Sequence, residues 1–213
     1  MSIVIINPNS TASMTDAMLQ MAEQAAPDLD FAGWTSHAGP PAIQGAEDGE
    51  AATAPLLDLV AQADAQGAGG IIIGCFDDTA LARAAALASC PVIGIGQAAF
   101  HYAALRGWRF SVVTTLDVSI PVIENNIAEL GLAGQVARVR ASDVPVLDLE
   151  HHPDASSARI LREAQRAQSE DGVDAIVLGC AGMVTLSAVV RDTLDLPVID
   201  PVIAAATCMR WLC

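Results

Sequence analysis

Short runs of apolar residues alternate along the chain with longer stretches in which apolar positions recur at helical spacing. The runs have the length of buried parallel strands. Six strands are predicted in this way, at Ile3 to Ile6, Gly70 to Ile73, Pro91 to Ile95, Phe110 to Val113, Ala175 to Leu178 and Pro197 to Ile199. Helices are predicted at roughly Thr11 to Ala25, Glu47 to Ala63, Thr79 to Ala88, Ser119 to Leu130, Ser156 to Ser169 and Val184 to Thr193. This alternation indicates an α/β fold of parallel sheet flanked by helices.

The chain also contains an internal repeat. Gly67-Ala-Gly-Gly-Ile-Ile-Ile-Gly-Cys75 aligns with Gly172-Val-Asp-Ala-Ile-Val-Leu-Gly-Cys180 at an offset of 105 positions. Farther on, Pro91-Val92-Ile93 aligns with Pro197-Val198-Ile199 at an offset of 106, and the opening strand Ile3 to Ile6 corresponds to Phe110 to Val113. Such a duplication predicts two similar lobes related by a pseudo-twofold axis, with ligand bound in the cleft where the carboxyl ends of the strands meet.

The repeat also predicts how the chain divides. We expect the first lobe to span residues 1–98 and the second to span residues 99–199. The C-terminal helix at 200–213 is expected to pack back on the first lobe.

Composition narrows the possible partners. With 213 residues, 53% of them hydrophobic, the chain can bury a large core. Its formal net charge of −15 argues against nucleic acid, whose binding needs clustered Lys and Arg. The chain has no lysine, which excludes a pyridoxal-phosphate Schiff base, a lysine base and a P-loop. A small neutral or weakly anionic ligand fits best.

No apolar run approaches the roughly 20 residues of a membrane helix, and the N-terminus lacks the pattern of a signal peptide. We therefore expect a cytoplasmic protein without a membrane partner, and the apolar composition favours a homo-oligomer. The five cysteines are widely spaced and form no CxxC pair or His/Cys cluster, so reduced thiols and no metal site are expected.

Two of the cysteines occupy equivalent positions in the repeat. Cys75 and Cys180 each end a strand just before a helix, where free backbone N–H groups favour a thiolate. A single Gly-Cys after an apolar run is more often an ordinary buried strand end. Two copies at matching positions reverse that interpretation and predict that each lobe contributes one thiol to the cleft.

Polar residues at the neighbouring strand ends are further candidates. Asn9 or Ser10 is expected to cap the first helix, which leaves Asn7 free for a ligand. Thr114 and Thr115 occupy the equivalent turn of the second lobe and could hold a ligand oxygen. Asp77 or Asp78 is expected to cap the next helix and to raise the pKa of Cys75.

Five motifs in order resemble the hydantoin racemase family of the Asp/Glu racemase superfamily. They are Asn7-Pro8-Asn9-Ser10-Thr11, Gly74-Cys75-Phe76-Asp77-Asp78, Pro91-Val92-Ile93-Gly94-Ile95, Phe110-Ser111-Val112-Val113-Thr114-Thr115 and Gly179-Cys180-Ala181-Gly182-Met183. One departure is Gln44, where that family often has an acidic residue.

The resemblance implies a racemase that needs no cofactor and acts on 5-substituted hydantoins or the related ureide allantoin. It places the proton-transferring pair at Cys75 and Cys180. It places substrate-binding groups at Asn7, Ile43, Phe76, Asp77, Thr114, Thr115, Ala181 and Gly182.

Other functions remain open at this point. Within the same superfamily, the chain could be an allantoin racemase, an amino-acid racemase, a maleate isomerase or an arylmalonate decarboxylase. The decarboxylases resemble this sequence but keep only the second cysteine, so Cys75 counts against them. From a different class, it could be a non-catalytic ureide-binding or redox-sensing module in which the two cysteines form a disulfide.

Overall fold

The computed structural model describes residues 2–213 and contains two parallel sheets of four strands. The first sheet consists of β1 (Ile3–Asn7), β2 (Phe31–Thr35), β3 (Gly70–Ile73) and β4 (Val92–Gly94) in the order β2-β1-β3-β4. The second consists of β5 (Phe110–Thr114), β6 (Val136–Ala141), β7 (Ala175–Gly179) and β8 (Val198–Ile199) in the order β6-β5-β7-β8. The two halves therefore share one strand order, as the internal repeat predicts.

Helices connect the strands. They are α1 (Ala12–Ala25), α2 (Ala46–Ala65), α3 (Leu81–Leu87), α4 (Ile95–Leu105), α5 (Ile120–Glu129), α6 (Asp148–His151), α7 (Pro153–Glu170), α8 (Ser187–Thr193) and α9 (Pro201–Leu212). Short 3-10 helices occur at Asp117–Ser119, Ala133–Gln135 and Ala181–Leu186. Among residues 2–213, none of the helices is long and apolar enough to cross a membrane.

All six predicted strands are present, and two more were missed. β2 and β6 lie at the edges of their sheets, where each pairs with only one neighbour, and they lack the continuous apolar run that a central strand shows. Two boundaries were also wrong. Ile95 begins α4 instead of ending β4, and α8 starts only at Ser187 because the six residues before it form a 3-10 helix.

One hydrophobic core joins the two halves. Strand residues alternate in direction, so that Ile72 faces this shared core while Ile71 and Ile73 pack into an outer core beneath α2. In the shared core the rings of Phe100 and Phe110 stack with their centroids 6.0 Å apart.

The predicted boundary between lobes, at residues 98 and 99, falls within α4. Helix α9 packs against both α1 and α4. The division of the chain into lobes at that point stays a prediction.

Candidate active site

Cys75 and Cys180 line the same small cavity between the two sheets. Cys75 lies two residues beyond β3, and Cys180 directly follows β7. Both thiols are free and partly buried. The cavity has a volume of about 30 Å³, which is room for about two water molecules. Its other lining residues are Asn9, Met14, Ile43, Gly74, Phe76, Asp77, Thr114, Thr115, Ser119, Val146, Gly179, Ala181 and Gly182.

The two thiols have similar backbone environments. Each accepts a hydrogen bond from the N–H two residues farther on, that of Asp77 for Cys75 and that of Gly182 for Cys180, and these donors lower the thiol pKa. Burial opposes them and is the larger effect. It raises the pKa of Cys180 to about 11 and that of Cys75 still higher. The N–H groups thus favour the thiolate form, as the sequence suggests, but burial in this closed cavity outweighs their effect.

Asp77 is the acidic residue that faces both thiols. Burial raises the pKa of its carboxyl to about 7, and its Oδ2 atom is buried without a hydrogen-bond partner in residues 2–213. When ionised, Asp77 raises the pKa of Cys75 and of Cys180. A carboxyl that titrates near neutral pH thus lies beside both candidate acid-base groups.

Asp78 caps a helix, although not the one that the sequence suggests. The following helix, α3, begins after Ala80 without any side-chain cap. Asp78 instead accepts hydrogen bonds from the backbone N–H groups of Gly96 (3.0 Å) and Gln97 (2.6 Å) at the start of α4. Burial raises the pKa of Asp78 to about 8, against the effect of these two donors.

Asn7 does not line the cavity. It is fully buried, and its Nδ2 donates to Asn9 Oδ1, to the Thr11 carbonyl and to Thr15 Oγ1. Its Oδ1 accepts from the Asn9 N–H. This saturated amide holds the turn after β1 together, and the neighbouring Asn9 lines the cavity in its place. Both asparagines lie in one polar run, so the sequence offers no signal that separates their roles.

Thr114 and Thr115 both line the cavity, but their hydroxyls differ. The Thr114 hydroxyl donates to the carbonyl of Gly179 at 3.0 Å and so ties β5 to β7. No side-chain hydrogen bond within residues 2–213 uses the Thr115 hydroxyl. Of the two candidates, only Thr115 has a hydroxyl free for a ligand.

The remaining predicted residues also lie at the cavity. Ile43 lines it from the loop between β2 and α2, while Ala181 and Gly182 line it beside Cys180. Phe76 lines it as well, but its ring is buried in the shared core against Phe100, with centroids 5.3 Å apart.

Six lining residues were not predicted as site residues from the sequence, namely Asn9 as a ligand-facing group, Met14, Gly74, Ser119, Val146 and Gly179. Met14 and Val146 carry no chemical signal, and tertiary contact alone brings them to the cavity. Across residues 2–213, no group of three or more His, Cys, Asp or Glu side chains is arranged to hold a metal ion.

Comparison with known proteins agrees with this architecture. A family model described as Asp/Glu/Hydantoin racemase matches residues 3–209. A hydantoin racemase from Rhizobium meliloti is 42% identical over 208 residues, covering 96% of this chain and 86% of that relative.

Two solved structures are similar over the whole chain. Allantoin racemase from Klebsiella pneumoniae superposes with a TM-score of 0.94 at 36% identity, covering 100% of this chain and 87% of that one. Allantoin racemase from Pseudomonas fluorescens also has a TM-score of 0.94, at 34% identity, with 100% and 90% covered. The chain therefore belongs to the Asp/Glu/hydantoin racemase family.

Proposed function

We propose that this protein racemises 5-substituted hydantoins by moving protons between Cys75, Cys180 and the C5 carbon of the ring. One observation carries the proposal: two thiols, one from each half of an internal repeat, line a single cavity at equivalent strand ends. Racemisation removes a proton from one face of a stereocentre and returns one to the other face. Two groups on opposite sides of the carbon accomplish this without moving the substrate.

In the proposed reaction, one cysteine acts as a thiolate and takes the C5 proton, while the other acts as a thiol and protonates the opposite face. The roles exchange for the other enantiomer. Cys180 is the more acidic of the two thiols, because burial and the negative charge of Asp77 raise the pKa of Cys75 further. We therefore expect the resting enzyme to ionise first at Cys180.

Loss of the C5 proton leaves negative charge on the C4 oxygen of the ring, so that oxygen needs hydrogen-bond donors. Phe76 and Ala181 directly follow the two cysteines and line the cavity, so their backbone N–H groups are candidate donors to this oxygen. The Thr115 hydroxyl is a third donor of this kind. Losing one such donor typically raises the barrier by about 2.7–4 kcal/mol.

The cavity volume of about 30 Å³ is too small for a hydantoin ring, so we expect the two lobes to separate when substrate enters. A groove of about 290 Å³ shares Asp77 with the cavity and is lined on its far side by Glu50, Thr53 and Arg83.

Allantoin is the second candidate substrate. It is a hydantoin with a ureido group at C5 and needs the same proton transfer, and the two solved racemases of that name match the chain over its full length. The relative that is 42% identical is named a hydantoin racemase, which supports 5-substituted hydantoins as substrates of this chain. Both substrates therefore belong in the first experiment.

The test uses a single enantiomer of 5-isopropylhydantoin or of allantoin in deuterated water. Chiral chromatography follows racemisation, and proton NMR follows exchange at C5. The variants are Cys75→Ser and Cys180→Ser, with Cys90→Ser as a matched control because Cys90 does not line the cavity. Reactions without protein give the spontaneous rate.

We expect the wild type and the Cys90→Ser variant to racemise substrate with uptake of solvent deuterium at C5. The Cys75→Ser and Cys180→Ser variants should each lose racemisation, because a single remaining thiol reaches only one face of C5. Each variant should still exchange the C5 proton of one enantiomer, and this enantiomer should differ between the two variants. A covalent adduct between cysteine and substrate would favour an isomerase. Loss of two free thiols under mild oxidation, without turnover of either substrate, would favour a redox or binding module.

A further inference from the structure

The two halves of the repeat cap equivalent helices in different ways. In the second half, Asp200 follows β8 and caps α9 through its Oδ1, which accepts from the backbone N–H groups of Val202 (2.9 Å) and Ile203 (3.1 Å). The aligned position in the first half is Gly94, which follows β4 and has no side chain. Helix α4 therefore lacks a capping carboxylate of its own.

Asp78 supplies that carboxylate from another segment. It accepts from the N–H groups of Gly96 and Gln97, which align with Val202 and Ile203 at the same offset of 106 positions. A Cβ atom at Gly94 would lie only 1.9 Å from Asp78 Oδ1. The Asp78 carboxylate thus occupies the space that a side chain at position 94 would take.

Because Asp78 caps α4, the segment that carries Cys75 is connected to this helix by two hydrogen bonds. Asp78 follows Cys75 by three residues, and its φ of 48° is a left-handed conformation that costs energy for residues other than glycine, although Asp adopts it more readily than most. Ala80, with a φ of 53°, is strained in the same way. Such strain persists only where the surroundings hold the backbone firmly.

A second contact holds the same segment from the other half. Asn126 on α5 donates through Nδ2 to the backbone carbonyl of Asp77 at 2.8 Å. The segment after Cys180 differs, because Met183, which aligns with Asp78, is buried in an apolar core and carries no charge. Only the Cys75 segment is tied to a neighbouring helix by a carboxylate.

We propose that Asp78 is a positioning residue whose bonds to the start of α4 fix the Cys75 thiol relative to Cys180 across the cavity. The inference rests on the proposed function only as far as the use of the two thiols is concerned. If Asp78 acts merely as a helix cap, a capping carboxylate at another position of the same helix should preserve activity. If Asp78 positions Cys75, such a replacement should not preserve activity.

The test moves the cap. In the double variant Asp78→Gly with Gly94→Asp, the carboxylate returns to the position that it has in the second half, and glycine at position 78 relieves the left-handed strain. Asp200→Asn is the matched control, since it alters the equivalent cap without touching the cavity. Three quantities are measured: the melting temperature, kcat and KM, and the ratio of the alkylation rates of Cys75 and Cys180 by iodoacetamide, read by peptide mass spectrometry.

We expect the double variant to melt within a few degrees of the wild type, with kcat reduced on the order of 10- to 100-fold and KM changed less than about threefold, as for a misplaced reacting group. The alkylation ratio should change by more than about threefold, while Asp200→Asn leaves the ratio and kcat unchanged. Recovery of both kcat and the ratio in the double variant would show that Asp78 is only a cap and overturn the proposal.

If the double variant does not fold, Asp78→Asn carries the same test, since it keeps the size of the side chain and one acceptor oxygen. Reduced kcat with an altered alkylation ratio supports positioning, and unchanged values overturn it. The alkylation ratio needs no substrate. A wild type without racemase activity would therefore contradict the proposed function, while the ratio would still decide the role of Asp78.

Discussion

Gln44 Oε1 accepts a hydrogen bond of 3.0 Å from the backbone N–H of Val146. A side chain of the first half is therefore bonded to a loop of the second half. Both sides of this contact adjoin the cavity, which Ile43 and Val146 line. A residue at which the chain departs from the hydantoin racemase pattern thus forms a hydrogen bond between the two loops.

Gln44→Ala should weaken the contact between the two loops, because it removes the hydrogen bond to Val146. Val146 is buried, so removal of its acceptor leaves an unpaired N–H, which typically costs about 1–3 kcal/mol. Hydrogen exchange of the Val146 amide should accelerate on the order of tenfold or more, and the free energy of unfolding in urea should fall. Gln44→Glu keeps an acceptor oxygen and should retain most of the protection. Unchanged exchange in Gln44→Ala would mean that other contacts hold the loops.

Thr114→Val and Thr115→Val should affect different properties, because within residues 2–213 the Thr114 hydroxyl is hydrogen-bonded and the Thr115 hydroxyl is not. Thr114→Val leaves the buried Gly179 carbonyl without this donor and should lower the free energy of unfolding by about 1–3 kcal/mol. Thr115→Val should leave stability nearly unchanged and lower kcat, as expected when a donor to the developing oxyanion is removed. Urea unfolding and steady-state kinetics measure the two effects. If Thr115→Val keeps full kcat, its hydroxyl does not contact the reacting oxygen.

Cys180 should react with iodoacetamide faster than Cys75. The thiolate is the reactive form, and the pKa of Cys180, about 11, lies below that of Cys75. Between pH 8 and 10 the rate at Cys180 should rise roughly tenfold per pH unit, since the thiolate fraction does so below the pKa. Peptide mapping after short exposures checks the order. Faster labelling of Cys75 would show that Cys75, and not Cys180, ionises first.

Asp77→Asn should change the pH dependence of stability. The folded-state pKa of Asp77, about 7, is above its ordinary value of 3.8, so the folded state binds this proton more tightly than the unfolded state does. The stability associated with the protonated carboxyl is therefore lost as the pH rises from about 4 through 7. Asp78, with a pKa of about 8, acts in the same direction and is unchanged in the variant.

At pH 8 we expect Asp77→Asn to be more stable than the wild type by about 1–3 kcal/mol, because it no longer buries an unpaired carboxylate. Below pH 4 the difference should vanish. Alkylation of both thiols should also accelerate at pH 8, since the ionised Asp77 raises their pKa values. Equal stability of the two proteins across the whole pH range would show that Asp77 titrates at its ordinary pKa.

The hydrophobic pattern was enough to predict the six strands with continuous apolar runs and the duplication that relates the two halves. It missed the edge strands β2 and β6 because their sequences contain no continuous apolar run, unlike β4 and β8 at the opposite edges. Arg138 and Arg140 both lie within β6, and Arg140 is buried there only because Glu163 and Asp171 neutralise it.

The sequence by itself determined the fold class, the repeat and the pair of cysteines, because each is written in local spacing or in a motif that recurs. Only the tertiary structure decided which polar groups are free. The side chains of Asn7 and Thr114 are hydrogen-bonded within the protein, and so is that of Asn9, although it lines the cavity. The Thr115 hydroxyl lines the cavity without such a bond in residues 2–213. Likewise, Asp78 caps α4 instead of α3, because β3 and β4 are neighbours in the sheet and bring residues 18 or more positions apart within hydrogen-bond distance. Such partnerships depend on which segments meet in space, and neighbouring residues with similar side chains give no sign of them.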